Sequence, residues 1–212
     1  MASSISLPDS SCRLCPRLAE FRDENSIKFP DWHNAPVTPF GSLEAELLIV
    51  GLAPGLKGAN RTGRPFTGDY AGDLLYDTLL AFKFAKGAYA QHPDDGFQLT
   101  GSRVTNGVRC VPPQNKPVGA EINACRPFLN IEMDAMPNLK CILTLGGIAH
   151  NTVLRALEQK VSAWKFGHNA VHALPDLPVL VNSYHCSRYN TNTGRLTEEM
   201  FHDVFRTIRK LV

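Results

Sequence analysis

Residues Leu47 to Val50 form an apolar run without polar alternation, and the chain then enters a long stretch of glycine, proline and polar residues, GLAPGLKGANRTGRPFTGD, ending at Asp69. Such a run reads as a strand buried on both faces, the kind found in parallel sheets. Cys141 to Leu145 and Val179 to Asn182 repeat the pattern, and Arg103 to Cys110 reads as a shorter strand running into a turn. Helical apolar spacing lies between them: Tyr70 to Phe82 with Asp69 as its cap, Glu121 to Met136, Ile148 to Glu158, and a last helix opening at Thr197. Strands alternating with helices imply a parallel sheet covered on both sides. The expected fold is therefore α/β, three layers (α/β/α) around a central, mainly parallel four-stranded sheet.

The connections are as informative as the elements. Ligands in open α/β sheets sit at the carboxyl ends of strands, where the glycine-rich loop begins. About eighteen residues without regular structure inside a compact domain are more often functional than idle. Its glycines, Gly51 and Gly55 among them, let the backbone lie close to a ligand, while Lys57, Asn60, Arg61 and Arg64 carry donors suited to phosphate or carbonyl oxygens. Phe66 sits among glycines and is expected to stand more exposed than a core phenylalanine, as aromatics that stack on nucleobases do. Asn106 follows a strand, and its carboxamide complements an amide-like ring edge. His185 ends a buried strand at the same edge as the glycine-rich loop and is followed by Ser187, Asn190, Thr191 and Thr193.

Length and charge set the limits. A chain of 212 residues has room for one sizeable core and one domain, 1–212, and its net charge of +2 gives no strong case for a polyanion partner, although Arg188, Arg195, Arg206, Arg209 and Lys210 gather near the C-terminus. The first twenty residues lack the basic and apolar regions of a leader, and no apolar run approaches the roughly eighteen residues of a membrane span. A cytoplasmic monomer without membrane attachment is expected, with Met1 to Ser11 as a loose arm and Arg22 to Gly41 as an extended surface segment. Lys83 to Gly101 reads as irregular.

Six cysteines in a reducing compartment direct attention to metal ligation. Cys12 and Cys15 are a close pair, Cys110 follows a strand, and Cys125 lies on the next helix. Four thiolates suit tetrahedral zinc or a [4Fe-4S] cubane, and the lack of a second close pair lowers zinc below iron and sulfur; the alternative is four unrelated buried thiols. Cys141 reads as a small core hydrophobe. Cys186 points away from its neighbour His185, as adjacent residues at a strand end do.

The loop GLAPGLKGANRTGRPFTGD, the segment TNGVRC with its following prolines, the segment HCSRYNTNTGRLT and the cysteine spacing, in this order, resemble the uracil-DNA glycosylase superfamily, most closely its iron-sulfur branches, type 5 and then type 4. The resemblance spans nearly the whole chain from Cys12. It implies a [4Fe-4S] cluster on Cys12, Cys15, Cys110 and Cys125 that braces the N-terminal arm, residues 1–40. It implies that the substrate is DNA containing uracil, and the lack of a carboxylate in the first motif extends the expectation to other deaminated bases such as hypoxanthine. Phe66 would stack on the everted base, Asn106 would read its polar edge, and His185 would donate to the carbonyl where negative charge gathers. Gly51, Ala53 and Gly55 would line the base site. Cys186 to Leu196 would enter the minor groove, with Ser187, Arg188, Tyr189, Asn190 and Arg195, and Arg61 from the glycine-rich loop, as the DNA contacts. Ala53-Pro54-Gly55 stands where several branches carry an Asp or Asn that positions water, which leaves Asn60 and Asp69 as candidates; Asp69 is also a plain helix cap. An electron-transfer or redox-sensing iron-sulfur protein and a DNA-binding module without turnover are the rival readings.

Overall fold

The computed structural model describes residues 6–212. The loose arm expected over Met1 to Ser11 therefore falls partly outside the described residues. In chain order the elements are α1 (Pro16–Lys28), β1 (Leu47–Gly51), α2 (Ala59–Thr62), α3 (Tyr70–Ala81), β2 (Ala85–Lys86), β3 (Gln98–Leu99) and β4 (Ser102–Asn106). They continue with α4 (Gly119–Asp134), β5 (Cys141–Leu145), α5 (Gly147–Ala156), β6 (Val171–His172), β7 (Val179–Ser183), α6 (Arg188–Asn192) and α7 (Glu198–Ile208).

The sheet runs β4-β1-β5-β7-β6, with every pair parallel except β6 against β7. It has five strands rather than the four expected. The fifth is a two-residue antiparallel edge strand with one exposed and one half-buried position, too short for any apolar pattern to mark it. The four parallel strands are buried on both faces as their composition requires. Leu47, Ile49, Leu143 and Val181 face one core with Leu75, Leu79, Phe201 and Phe205 of α3 and α7. Leu48, Val50, Ile142 and Leu180 face the other with Leu129, Met133, Val153 and Leu154 of α4 and α5. The alternation of side chains along each strand thus divides one sheet between two cores and produces the three layers. Among the described residues no helix is long and apolar enough to cross a membrane.

Two other expectations are corrected. The extended segment placed at Arg22 to Gly41 begins inside α1, whose proline at the first helical turn is compatible with the unpaired amides there. Its buried positions, Leu18, Ala19, Arg22 and Asn25, have helical spacing, but half are polar, so no apolar stripe marks it. The segment Lys83 to Gly101 contains the antiparallel pair β2-β3. The cap positions are as expected: Asp69 Oδ1 accepts from the Gly72 amide and Thr197 Oγ1 from the Met200 amide.

Candidate base-binding cleft and four-cysteine site

The carboxyl ends of β1 and β4 lie side by side, with Gly51 in register with Asn106. Pairing continues beyond the strands, because the Gly107 amide donates to Gly51 O and the Val108 amide to Leu52 O, both at 2.9 Å. Asn106 and the opening of the glycine-rich loop are therefore held as one rigid corner. A Cβ on Gly51 would stand 2.4 Å from Asn106 Oδ1 and 2.5 Å from Phe66 Cζ, so only glycine admits both side chains here. Asn106 is buried, and among the described residues its Oδ1 has no hydrogen-bond partner.

Phe66 adopts φ 53° and is only 7% exposed, contrary to the expectation of an exposed ring. It belongs to the α3 and α7 core and still presents its edge to the corner. The ring of His185, two residues beyond β7, lies 6.1 Å from it centroid to centroid, with 29° between the planes. Burial lowers the pKa of His185, which keeps the imidazole neutral at pH 7. Asn190 Nδ2 donates to His185 O at 2.8 Å and fixes its backbone. Cys186, fully buried, turns the opposite way and donates to Ala71 O.

Phe66, Asn106 and His185 open into one cleft of about 600 Å³. Ala53, Gly55, Asp69, Ser187 and Arg188 also line it, and Gly51 lies at its base between Asn106 and Phe66. Asp69 does two things. It caps α3, and its second oxygen lies 3.0 Å and 2.4 Å from where a Cβ would sit on Gly55 and Gly58, so the glycine-rich loop folds around the carboxylate. Burial raises its pKa. Lys57, read from sequence as a donor, lines the cleft too, and Tyr70 and Asn115, missed from sequence, complete the wall. Asn115 arrives through a short 3-10 turn over Pro113–Asn115 and accepts from the Leu56 amide at 3.3 Å. No sequence signal marked it within VPPQNKP.

Other candidates lie apart from this wall. Asn60 is fully buried behind the loop, where its Nδ2 donates to Asn34 Oδ1 at 2.9 Å and its amide closes the turn onto Gly55 O. Arg61 faces a separate surface hollow beside His33 and His92. Arg64, also read as an available donor, is buried in a two-bond pair with Asp95. On the far lip, Ser187 Oγ caps α6, and the Arg188 guanidinium sits 5.3 Å from the Tyr70 ring. Tyr189 is 73% exposed. Arg195 lies over Tyr184 at 4.7 Å.

Behind β4, the four cysteines wall one narrow apolar cavity with Leu18, Val108 and Phe128. Cys15 caps α1 and Cys125 lies on α4. Arg22 Nη1 donates to Cys110 Sγ at 3.5 Å, its Nη2 donates to Ser10 O and Cys12 O, and the Arg109 amide donates to Cys125 Sγ at 3.4 Å. Burial pushes the Cys15 and Cys110 thiols up to about 11. Among the described residues no three His, Cys, Asp or Glu side chains gather as they would around a single metal ion. A cubane takes one thiolate per corner iron and spreads its ligands more widely, so an all-thiol set around one apolar cavity, with donors aimed at two of its sulfurs, fits that group.

Fold and site define an α/β protein whose chemistry-bearing side chains converge at the carboxyl edge of a parallel sheet. The profile of the Uracil DNA glycosylase superfamily matches residues 38–209. The chain is 41% identical over 207 residues to the Type-5 uracil-DNA glycosylase of Thermus thermophilus, covering 95% of this chain and 94% of that protein. It is 42% identical over 212 residues to that of Mycobacterium leprae, covering 95% and 92%. It is 31% identical over 175 residues to the Type-4 uracil-DNA glycosylase of Sulfurisphaera tokodaii, covering 76% and 69%. The chain belongs to the uracil DNA glycosylase superfamily.

Proposed function

We propose that this chain, acting as a single-domain monomer, is a DNA glycosylase that everts uracil from DNA and hydrolyses its N-glycosidic bond. The observation that carries the reading is the corner at Gly51, where a missing side chain lets the Phe66 ring and the Asn106 carboxamide, its Oδ1 unpartnered among the described residues, meet beside a neutral histidine. Eversion costs a few kcal/mol of unstacking, least for a mismatched or damaged base. Stacking on Phe66 offsets part of that cost. Asn106 supplies one acceptor and two donors to the polar edge of the base.

The bond between C1′ and the base nitrogen breaks with its electron pair leaving on the base. A neutral His185 donates a hydrogen bond to the carbonyl oxygen where that charge gathers. Water then attacks the sugar cation at C1′. Asp69, partly desolvated on the cleft wall, orients this water and takes its proton, while Asn60 braces the loop from behind. The anionic base is protonated from solvent. Ser187, Arg188, Tyr189, Asn190 and Arg195 meet the DNA backbone and groove. Cys12, Cys15, Cys110 and Cys125 would hold a [4Fe-4S] cluster, which would supply a brace between the N-terminal arm and the chain after Asn106. The absence of an ionisable group at Ala53 and the size of the cleft favour acceptance of hypoxanthine as well.

Incubation with a duplex containing one uracil, followed by alkaline cleavage, tests the reading. Strand scission by the wild type and a loss of about 10²- to 10³-fold in His185→Ala are expected, the usual effect of removing one donor from a developing anion. Full activity in His185→Ala would remove its role, and no scission by the wild type would remove the function.

A further inference from the structure

The hairpin segment between α3 and β4 carries Tyr89 and Asp95, side chains that the glycosylase reading leaves without a task. We propose that Tyr89 is a positioning residue whose hydroxyl clamps the backbone at and just after Phe66, so that the ring is set for stacking before DNA arrives. The catalytic consequence rests on the glycosylase reading; the clamp itself rests on geometry alone.

Phe66 has a left-handed backbone, φ 53°, that a side-chain-bearing residue keeps only when its surroundings over-determine it. Tyr89 Oη accepts from the Gly68 amide and donates to Phe66 O, both at 3.3 Å. Burial pushes the phenol up to about 12, so it stays a donor at neutral pH. The Phe66 carbonyl is seated against α3, where a Cβ on Gly72 would come within 1.7 Å of it. Upstream, Tyr76 Oη donates to Pro65 O, and Arg64 donates to Thr67 Oγ1 at 2.8 Å while gripping Asp95. The Arg64 guanidinium lies 5.2 to 5.8 Å from the Phe40, Tyr76, Tyr89 and Phe97 rings, which fixes the Tyr89 ring independently of its hydroxyl. Removing only the oxygen therefore releases Phe66 and Gly68 without emptying the aromatic cluster.

Tyr89→Phe, Phe66→Ala and the double variant test this. In Tyr89→Phe without DNA, the Gly68 amide should exchange with deuterium about tenfold faster while amides of β1 and β5 keep their rates. Uracil excision should lose about tenfold in kcat with little change in KM, and the same substitution should have no further effect on Phe66→Ala. Unchanged Gly68 exchange overturns the clamp. An equal loss in both backgrounds overturns its action through Phe66. A wild type that releases no uracil overturns the glycosylase reading and the catalytic half of the proposal, while Gly68 exchange still decides the clamp.

Discussion

Replacing Gly51 with alanine adds one methyl group at the corner on which the cleft depends. Gly51 is not among the glycines with positive φ, so alanine meets no backbone penalty there. The methyl group would instead lie 2.4 Å from Asn106 Oδ1 and 2.5 Å from Phe66 Cζ, about 1 Å inside the 3.4 Å at which ordinary contact begins. Both obstructing atoms are the far ends of side chains, which can swing aside while the β1 and β4 ladder stays intact. Stability should therefore fall only by about 1 kcal/mol, the low end for an overpacked site, which is about 2–4 °C in Tm for a chain of this size. Activity should suffer far more, because a displacement of about 1 Å in a positioning group costs on the order of 10²-fold. Single-turnover release of uracil from a duplex oligonucleotide, beside a thermal melt, measures both. A variant excising uracil within about threefold of wild type would refute the claim that Phe66 and Asn106 act from these positions.

Four further outcomes follow from the same packing. Gly72→Ala, which helix propensity alone would favour by about 1 kcal/mol, should lower Tm instead, because its methyl group would come within 1.7 Å of the Phe66 carbonyl; a rise in Tm would contradict the packing. Asp69 has a raised pKa in the folded state, so the native protein binds its proton more tightly than the unfolded chain does, and this stabilisation is present below about pH 3.8 and lost as pH rises through the folded value. Asp69→Asn, which retains a capping side chain, should therefore melt higher at pH 7 while abolishing the acid limb of the excision profile; an acid limb that survives would exclude Asp69 as the base. Glu132, fully buried, receives Arg103 Nε at 2.6 Å and pairs with Arg109, so Glu132→Gln should cost about 3–5 kcal/mol in urea unfolding, with a loss under 1 kcal/mol counting against a buried charge network. Cys110→Ser should lower iron and acid-labile sulfide per chain, and equal iron in both proteins would exclude Cys110 as a ligand.

Much of this architecture was legible in the linear pattern. Leu47 to Val50 and Cys141 to Leu145 are apolar at every position because both their faces are covered, and that composition announces a parallel strand without reference to any partner. Asp69 and Thr197 announce helix starts because capping is local chemistry between residues three apart. Helix α1 escaped because Arg22 and Asn25 fill half of its buried face, and β6 because two residues carry no period.

The sequence by itself determined the strands, the main helices, the order of the motifs and the residue types able to serve a base-binding cleft, since all of these are set by neighbours along the chain. Only the tertiary structure decided which candidates share that cleft. Gly51 meets Asn106 through strand register, Phe66 is buried rather than displayed, Asn60 lies behind the loop, and Arg64 is consumed by Asp95. Side chains far apart in sequence become partners through packing and register, and those long-range relations are not written in local periodicity.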